Sequence, residues 1–126
     1  MIIGNKVISD KSPPFIIGEI SGNHNGLLKN ALRMVGLAKK ANLDAIKLQT
    51  YTADTITMKS ERKEFFIKDK KNLWKNRSLY ELYDKASTPW DWHEKIFLEA
   101  KKKNILCFSS PFDETAVDLL EELKSP

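Results

Sequence analysis

The stretch "DAIKLQT", Asp44 to Thr50, decides the fold class. Because side chains alternate between the two faces of a β-strand, Ile46 and Leu48 point to one side while Lys47 and Gln49 point to the other. A central strand of a doubly wound sheet is covered by helices on both faces and should be apolar on both. One polar face therefore favours a strand whose second face lines an interior, as in a barrel.

Predicted strands and helices alternate along the rest of the chain. The strands are expected at Phe15–Ile20, Asp44–Thr50 and Ile105–Ser110, and the helices at Leu28–Ala41, Arg77–Ala86, from Thr88 onward, and at Pro111–Leu123. An irregular insert with a short hairpin is expected over residues 51–76. This order predicts parallel βαβ units and an α/β fold, specifically a partial (β/α)₈ TIM barrel: about the first three βα units, with the insert after the second strand.

Two helix starts carry local signals. In "TPWD", Thr88 is expected as N-cap, Pro89 as the first helical residue and Asp91 as the third helical residue (N3), which forms a capping-box-like pair with Thr88. Asp113 is expected to cap the last helix. A closed barrel has eight units and about 250 residues, so residues 1–126 are expected to form the amino-terminal portion of a larger barrel domain.

Composition limits the function classes. The 126 residues carry a net charge of +4 and one cysteine, which fits a reducing cytoplasm. No apolar run reaches the roughly 18 residues of a membrane span, so no membrane partner is expected. The Lys68–Lys71 and Lys101–Lys103 clusters lack interleaved aromatic residues, so a nucleic-acid partner is not expected either.

Polar side chains gather where the predicted strands end: Glu19 in the first, Lys47 and Gln49 in the second, Ser109 and Ser110 in the third. A lysine or glutamate at such a place needs a partner or a ligand. One interpretation is an anionic ligand for Lys47 and a hydroxyl-bearing ligand for Glu19. The alternative is a purely structural Glu19–Lys47 ion pair.

The loop after the first strand contains Asn23, His24 and Asn25, which could hold substrate or a metal, or could satisfy local backbone groups. One histidine without a second ligand nearby is a weak metal signal, so no metal site is assigned to this chain. His93 and Cys107 are predicted to be packing residues, because no partner marks either as reactive.

Five ordered blocks carry a family resemblance: "IIGEISGNHNG", "AIKLQTYTADTIT", "LYELY", "TPWDWH" and "FSSPFDETAVDLLEEL". They resemble the amino-terminal part of the sialic acid synthase family, most of all its pseudaminic acid synthase branch. The resemblance implies an aldol-type condensation of phosphoenolpyruvate with an acetamido sugar. In this branch the sugar is a 2,4-diacetamido-2,4,6-trideoxy-altrose, water adds at the former enol carbon, and phosphate leaves by C–O cleavage.

The resemblance also implies roles for individual residues. Glu19 would contact the sugar and orient or deprotonate a hydroxyl, and Lys47 would bind phosphoenolpyruvate through charge-assisted hydrogen bonds. Gln49 would reach the sugar, and Ser110 would contact phosphoenolpyruvate. Asn23 and His24 are the further candidates for substrate binding.

The family's remaining parts would lie beyond Pro126. They comprise a second lysine for phosphoenolpyruvate, phosphate-binding serines, two histidines for a divalent metal (Mn²⁺ or Mg²⁺) that polarises the aldehyde, and a small antifreeze-like domain serving a homodimer. The chain alone is therefore expected to be inactive and prone to self-association. N-acetylneuraminate or legionaminic acid synthase is an alternative within the family. A non-catalytic interaction fragment is the alternative from another class.

Overall fold

The structure, a computed structural model, describes residues 1–69 and 71–126, so part of the Lys68–Lys71 cluster lies outside the described residues. The strands are β1 (Ile2–Ile3), β2 (Lys6–Val7), β3 (Ile17–Glu19), β4 (Ala45–Thr50) and β5 (Leu106–Pro111). The α-helices are α1 (Leu28–Lys40), α2 (Ala53–Ile56), α3 (Leu79–Ala86), α4 (Trp90–Lys102) and α5 (Glu114–Glu122), and a 3₁₀ turn spans Lys63–Phe65.

Strands β3, β4 and β5 form one parallel sheet in that order. Both connections between them pass through helices, which parallel pairing requires. The predicted α/β fold with a parallel sheet is therefore confirmed. The described residues form an open sheet, not a closed barrel.

The apolar face of the sheet packs against α1 and α4. Ile46 and Leu48 are fully buried, and Cys107 of β5 lies beside them. The two helices present small and branched residues at helical spacing to this face; those buried are Ala31, Val35, Ala38, Ile96 and Ala100. The alternation predicted from "DAIKLQT" is confirmed, since Lys47 and Gln49 on the other face remain half-buried.

The antiparallel hairpin β1–β2 was not predicted. It lies at the amino-terminal end of the sheet, where the Lys6 ammonium pairs with the Asp44 carboxylate at 3.3 Å. Gly4 adopts φ 57°, and a Cβ there would lie 2.6 Å from the Leu106 side chain. Glycine is favoured at this turn because other residues rarely adopt its conformation, and a side chain there would also require Leu106 to move.

The insert differs from its prediction. In place of a two-stranded hairpin, the described residues show one antiparallel bridge, between Phe66 in the insert and Ser78 just after it, and the Asn76 N–H donates to the Ile67 carbonyl at 3.1 Å. A short helix and a 3₁₀ turn occur instead. These elements span four and three residues, too few for hydrophobic periodicity to reveal them.

The start of α4 corrects a second prediction. The N-cap is Pro89, not Thr88, and no side chain caps the helix. The Thr88 hydroxyl bonds to the His24 ring instead. The prediction for α5 is confirmed, because the Asp113 carboxylate accepts the Ala116 N–H at 3.0 Å.

No helix within residues 1–69 and 71–126 combines the length and the apolar character needed to cross a membrane.

Candidate functional site at the carboxyl ends of the strands

Glu19, the last residue of β3, is the register partner of Lys47 in the middle of β4. Their side chains lie on the sheet face that α1 and α4 leave uncovered, and the Lys47 Nζ is 2.6 Å from the Glu19 Oε1. The pair stays in contact with solvent, with 47% of the Glu19 side chain and 30% of the Lys47 side chain exposed. The structure thus forms the ion pair that the sequence allowed, in a position that a ligand can reach.

The electrostatics of the pair favour the charged carboxylate. Burial alone would raise the pKa of Glu19. Hydrogen bonds from Lys47 and Ser21, together with the Lys47 charge, outweigh that effect and hold the pKa of Glu19 below its ordinary value. Glu19 is therefore an ionised hydrogen-bond acceptor at neutral pH.

Gln49 and Ser110 form the next row on the same face, because they are register partners in β4 and β5. Both side chains are half-buried. An ammonium, a carboxylate, an amide and a hydroxyl thus share one sheet face within two rows. This set can bind an anion through Lys47 and a hydroxyl-bearing molecule through the carboxylate and the amide.

Ser109 needs a correction. It lies at the strand ends, as predicted, but it is the register partner of Leu48 and therefore points to the helix side. Its Oγ lies 2.7 Å from the Thr50 Oγ1, and the same Thr50 oxygen lies 2.8 Å from the His93 Nε2. His93 is fully buried, so the prediction of a packing role is confirmed and a specific partner is added.

The candidate residues in the loop after β3 lie in different environments. Asn23 is exposed beside the strand ends, and its backbone N–H donates to the Ile20 carbonyl at 3.0 Å. Asn25 adopts φ 52°, one of the local roles considered for it. His24 is fully buried, and both of its ring nitrogens are bonded within the chain, at 3.1 Å to the Thr88 Oγ1 and 3.2 Å to the Gly26 N. This geometry favours a structural role, and the assignment of His24 to substrate stays a prediction.

The described residues do not suit a metal ion. They contain no group of three or more His, Cys, Asp or Glu side chains that could surround one. Both ring nitrogens of His24, the histidine nearest the strand ends in sequence, are already bonded. No step of the chemistry is therefore assigned to a metal on this chain.

A cavity also lies elsewhere in the fold. It measures about 720 Å³ and opens at the amino-terminal end of the sheet, between the β1–β2 hairpin, α4 and the end of α5, where Asp44 and Leu106 line it. Parallel βα folds bind their ligands at the carboxyl ends of the strands. We therefore place the candidate site at Glu19 and Lys47 rather than at this cavity.

Sequence reasoning did not identify three residues that support the site. The Ser21 hydroxyl donates to the Glu19 Oε2 at 2.9 Å, Thr50 joins β4 to β5 and α4, and Thr88 joins the His24 ring to the Ser21 carbonyl. Ser21 could have been noticed, because it follows Glu19 by two residues. Thr50 and Thr88 find partners 43 or more residues away, and no local pattern signals such contacts.

Residues 34–126 match the model of the NeuB family. The chain belongs to the NeuB family. The match covers the second half of α1, the strand with Lys47 and everything that follows, whereas Glu19 lies before its start.

Curated relatives of this NeuB-family chain include two synthases from Campylobacter jejuni. It is 49% identical to the pseudaminic acid synthase over 121 residues, which is 96% of this chain and 34% of the relative. It is 34% identical to the N,N'-diacetyllegionaminic acid synthase over 109 residues, which is 86% of this chain and 32% of that relative. The chain thus spans about a third of the length of these relatives.

A crystal structure gives the same fold. The N-acetylneuraminic acid synthetase of Leptospira borgpetersenii, solved with citrate, superposes with a TM-score of 0.79 at 31% identity. The superposition covers 99% of the NeuB-family chain and 38% of the crystallised one.

Proposed function

We propose that this chain is the amino-terminal part of a synthase that condenses phosphoenolpyruvate with a 2,4-diacetamido-2,4,6-trideoxy-hexose and releases phosphate. The observation that carries the proposal is the Lys47–Glu19 pair at 2.6 Å on the uncovered sheet face, in a chain 49% identical to a pseudaminic acid synthase. In this proposal β3, β4 and β5 are successive strands of a (β/α)₈ barrel. Residues 1–126 supply one side of the barrel mouth.

Lys47 binds the anionic groups of phosphoenolpyruvate in this scheme. A charge-assisted hydrogen bond from an ammonium to a phosphate or carboxylate is stronger than a neutral one. Glu19 holds Lys47 before the substrate arrives. When the substrate anion binds the Lys47 ammonium, the Glu19 Oε1 loses that partner and turns to the sugar. There it accepts a hydrogen bond from a sugar hydroxyl, or accepts the proton of that hydroxyl.

The second row orients the two substrates. The Gln49 amide, which both donates and accepts, serves the sugar, and the Ser110 hydroxyl serves phosphoenolpyruvate. Asn23 lies exposed on the loop just beyond β3, and in this scheme it contacts substrate. The complete enzyme is proposed to act as a cytoplasmic homodimer that uses a divalent metal held by residues outside this chain.

The identity of the sugar is the most specific part of the proposal. The pseudaminic assignment is favoured because identity to the pseudaminic synthase exceeds identity to the legionaminic synthase of the same organism, 49% against 34%. The likeness to the Leptospira synthetase supports N-acetylneuraminate synthesis as the second candidate.

Phosphate release from phosphoenolpyruvate, with manganese present, tests the proposal. The diacetamido-altrose, its manno counterpart and N-acetylmannosamine are offered in parallel to this chain and to its reading frame continued past Pro126. We expect release by the longer protein with the altrose sugar alone. No release with any sugar would reject the synthase and favour the interaction-fragment interpretation.

The variant Lys47→Ala tests the residue that carries the proposal. We expect phosphoenolpyruvate to bind the longer protein at least about tenfold more weakly, because a charge-assisted hydrogen bond contributes roughly 1.5–3 kcal/mol. Lys6→Ala is the matched control, since Lys6 is also a half-exposed lysine paired with a carboxylate but lies at the other end of the sheet. Equal affinities of the two variants, measured by calorimetry, would contradict the role of Lys47.

A further inference from the structure

The two carboxylate oxygens of Glu19 have different partners. Oε1 lies 2.6 Å from the Lys47 Nζ, and Oε2 accepts the Ser21 hydroxyl at 2.9 Å. Without Ser21 the carboxylate could rotate and share both oxygens with the ammonium. The Ser21 hydroxyl therefore fixes the orientation of the carboxylate, so that one oxygen is occupied and only the other faces Lys47.

Ser21 is held in an uncommon conformation. Its φ is 44°, in the left-handed region that residues other than glycine rarely adopt and that needs support from neighbouring structure. Two contacts supply that support. The Ser21 carbonyl accepts the Thr88 hydroxyl at 3.4 Å, and Gly22 lies so close to Ala86 that a Cβ would fall 2.4 Å from the Ala86 carbonyl oxygen.

His24 fixes the direction of the Thr88 hydroxyl. The Gly26 backbone N–H donates to the His24 Nδ1, so the proton of the neutral ring is on Nε2. Nε2–H then donates to the Thr88 Oγ1 at 3.1 Å, and the Thr88 hydroxyl is left to donate to the Ser21 carbonyl. Burial lowers the pKa of His24, which keeps the ring neutral.

The ring of the second buried histidine, His93, has different hydrogen-bond partners from that of His24. Its Nδ1 faces the Pro89 carbonyl at 3.2 Å and must donate, so its Nε2 accepts the Thr50 hydroxyl. The two buried histidines therefore carry their protons on opposite nitrogens. The His93 network runs on the helix side of the sheet and does not touch the Glu19 carboxylate.

We propose that Ser21 and Thr88 are positioning residues for Glu19: the buried His24–Thr88 pair holds the Ser21 backbone, and the Ser21 hydroxyl turns a single carboxylate oxygen toward Lys47. The value of this arrangement for substrate binding rests on the proposed function. The arrangement itself is a property of residues 19–26 and 86–88 together with Lys47, and it can be measured without any substrate.

Carboxylate NMR of the chain tests the proposal. The Glu19 titration is followed in the wild type and in Ser21→Ala, Thr88→Val and Thr88→Ser. The Ser21 and Lys47 hydrogen bonds lower the pKa of Glu19, so we expect that pKa to rise in Ser21→Ala and in Thr88→Val and to return in Thr88→Ser, which restores the hydroxyl. The pKa of Glu81, lowered by hydrogen bonds from Ser78, should stay constant and serves as the internal reference.

A second measurement keeps the test decisive if Thr88→Val folds poorly. Long-range proton–nitrogen spectra of the wild type identify the protonated ring nitrogen of each histidine, expected to be Nε2 for His24 and Nδ1 for His93. A proton on Nδ1 of His24, or an unchanged Glu19 titration in Ser21→Ala, would overturn the proposal.

The outcome separates this inference from the proposed function. A Glu19 titration that shifts as expected, together with a longer protein that releases no phosphate, would leave the positioning in place and reject the synthase. An unchanged titration in a protein that does release phosphate would do the reverse.

Discussion

At the scale of single residues, the Glu19–Lys47 pair is better suited to exchange than to stability. Both side chains contact solvent, and exposed ion pairs contribute about 0–1 kcal/mol to the free energy of unfolding. A pair this weak can be replaced by a substrate anion at small cost. The short distance between the two groups therefore indicates preorganised charge rather than a fold-stabilising contact.

A double-mutant cycle on this pair makes the point measurable. With Glu19→Gln and Lys47→Met, we expect a coupling of less than about 1 kcal/mol in urea unfolding at pH 7. Because the pKa of Glu19 is lowered in the folded state, its contribution is present above the unfolded pKa and is lost as the pH falls through the folded one. A coupling that persists at pH 2.5, or one well above 1 kcal/mol at pH 7, would contradict this view.

The sequence predicted part of the site and not the rest, for a physical reason. Lys47 and Gln49 could be placed on one face because strand alternation is a local rule. The support of Glu19 by Ser21 depends on a left-handed φ and on Thr88, 67 residues away. Contacts between residues so distant in sequence arise only when the helices pack.

At the scale of secondary-structure elements, the helices and strands that carry a clear period were predicted well. The apolar stripes of α1 and α4 are buried where their spacing placed them. Thr88 shows the limit of local signals, because a residue with N-cap chemistry serves a buried histidine instead. The β1–β2 hairpin has two residues in each strand and offers no period to detect.

The two buried histidines make the packing of α4 sensitive to acid. Burial lowers the pKa of both His24 and His93, so below the ordinary histidine pKa the unfolded chain binds more protons and stability falls as the pH falls. Between pH 7.5 and 5.5 we expect the urea midpoint to decrease, and the free energy of unfolding to fall by at most about 2.7 kcal/mol per pH unit for two groups.

The matched control for this prediction is the double variant His24→Gln with His93→Gln. A glutamine amide can donate toward Thr88 or accept from Thr50 without titrating. The pH dependence of the midpoint should flatten in this variant. The prediction fails if the slope is the same with and without the histidines.

At the scale of the whole molecule, both edges of the parallel sheet are open among the described residues. Strands β3 and β5 pair only with β4, so each has a side without a strand partner. Unpaired strand edges offer backbone groups to other chains. We expect concentration-dependent association of the 126-residue chain in sedimentation velocity.

Salt distinguishes the cause of that association. Pairing through backbone edges should persist at 0.5 M salt, whereas attraction between surface charges is screened at that ionic strength. A monomer at every concentration, or dissociation by salt alone, would argue against open edges as the cause.

The single cysteine is an internal probe of how often the sheet separates from the helices that cover it. Cys107 is the second residue of β5 and is 6% exposed, and burial raises its pKa to about 12. Because thiolates rather than thiols react with alkylating reagents, the folded chain should label slowly. The labelling rate then measures how often β5 separates from the helices, and a ligand that binds across β4 and β5 would slow it without any engineered label.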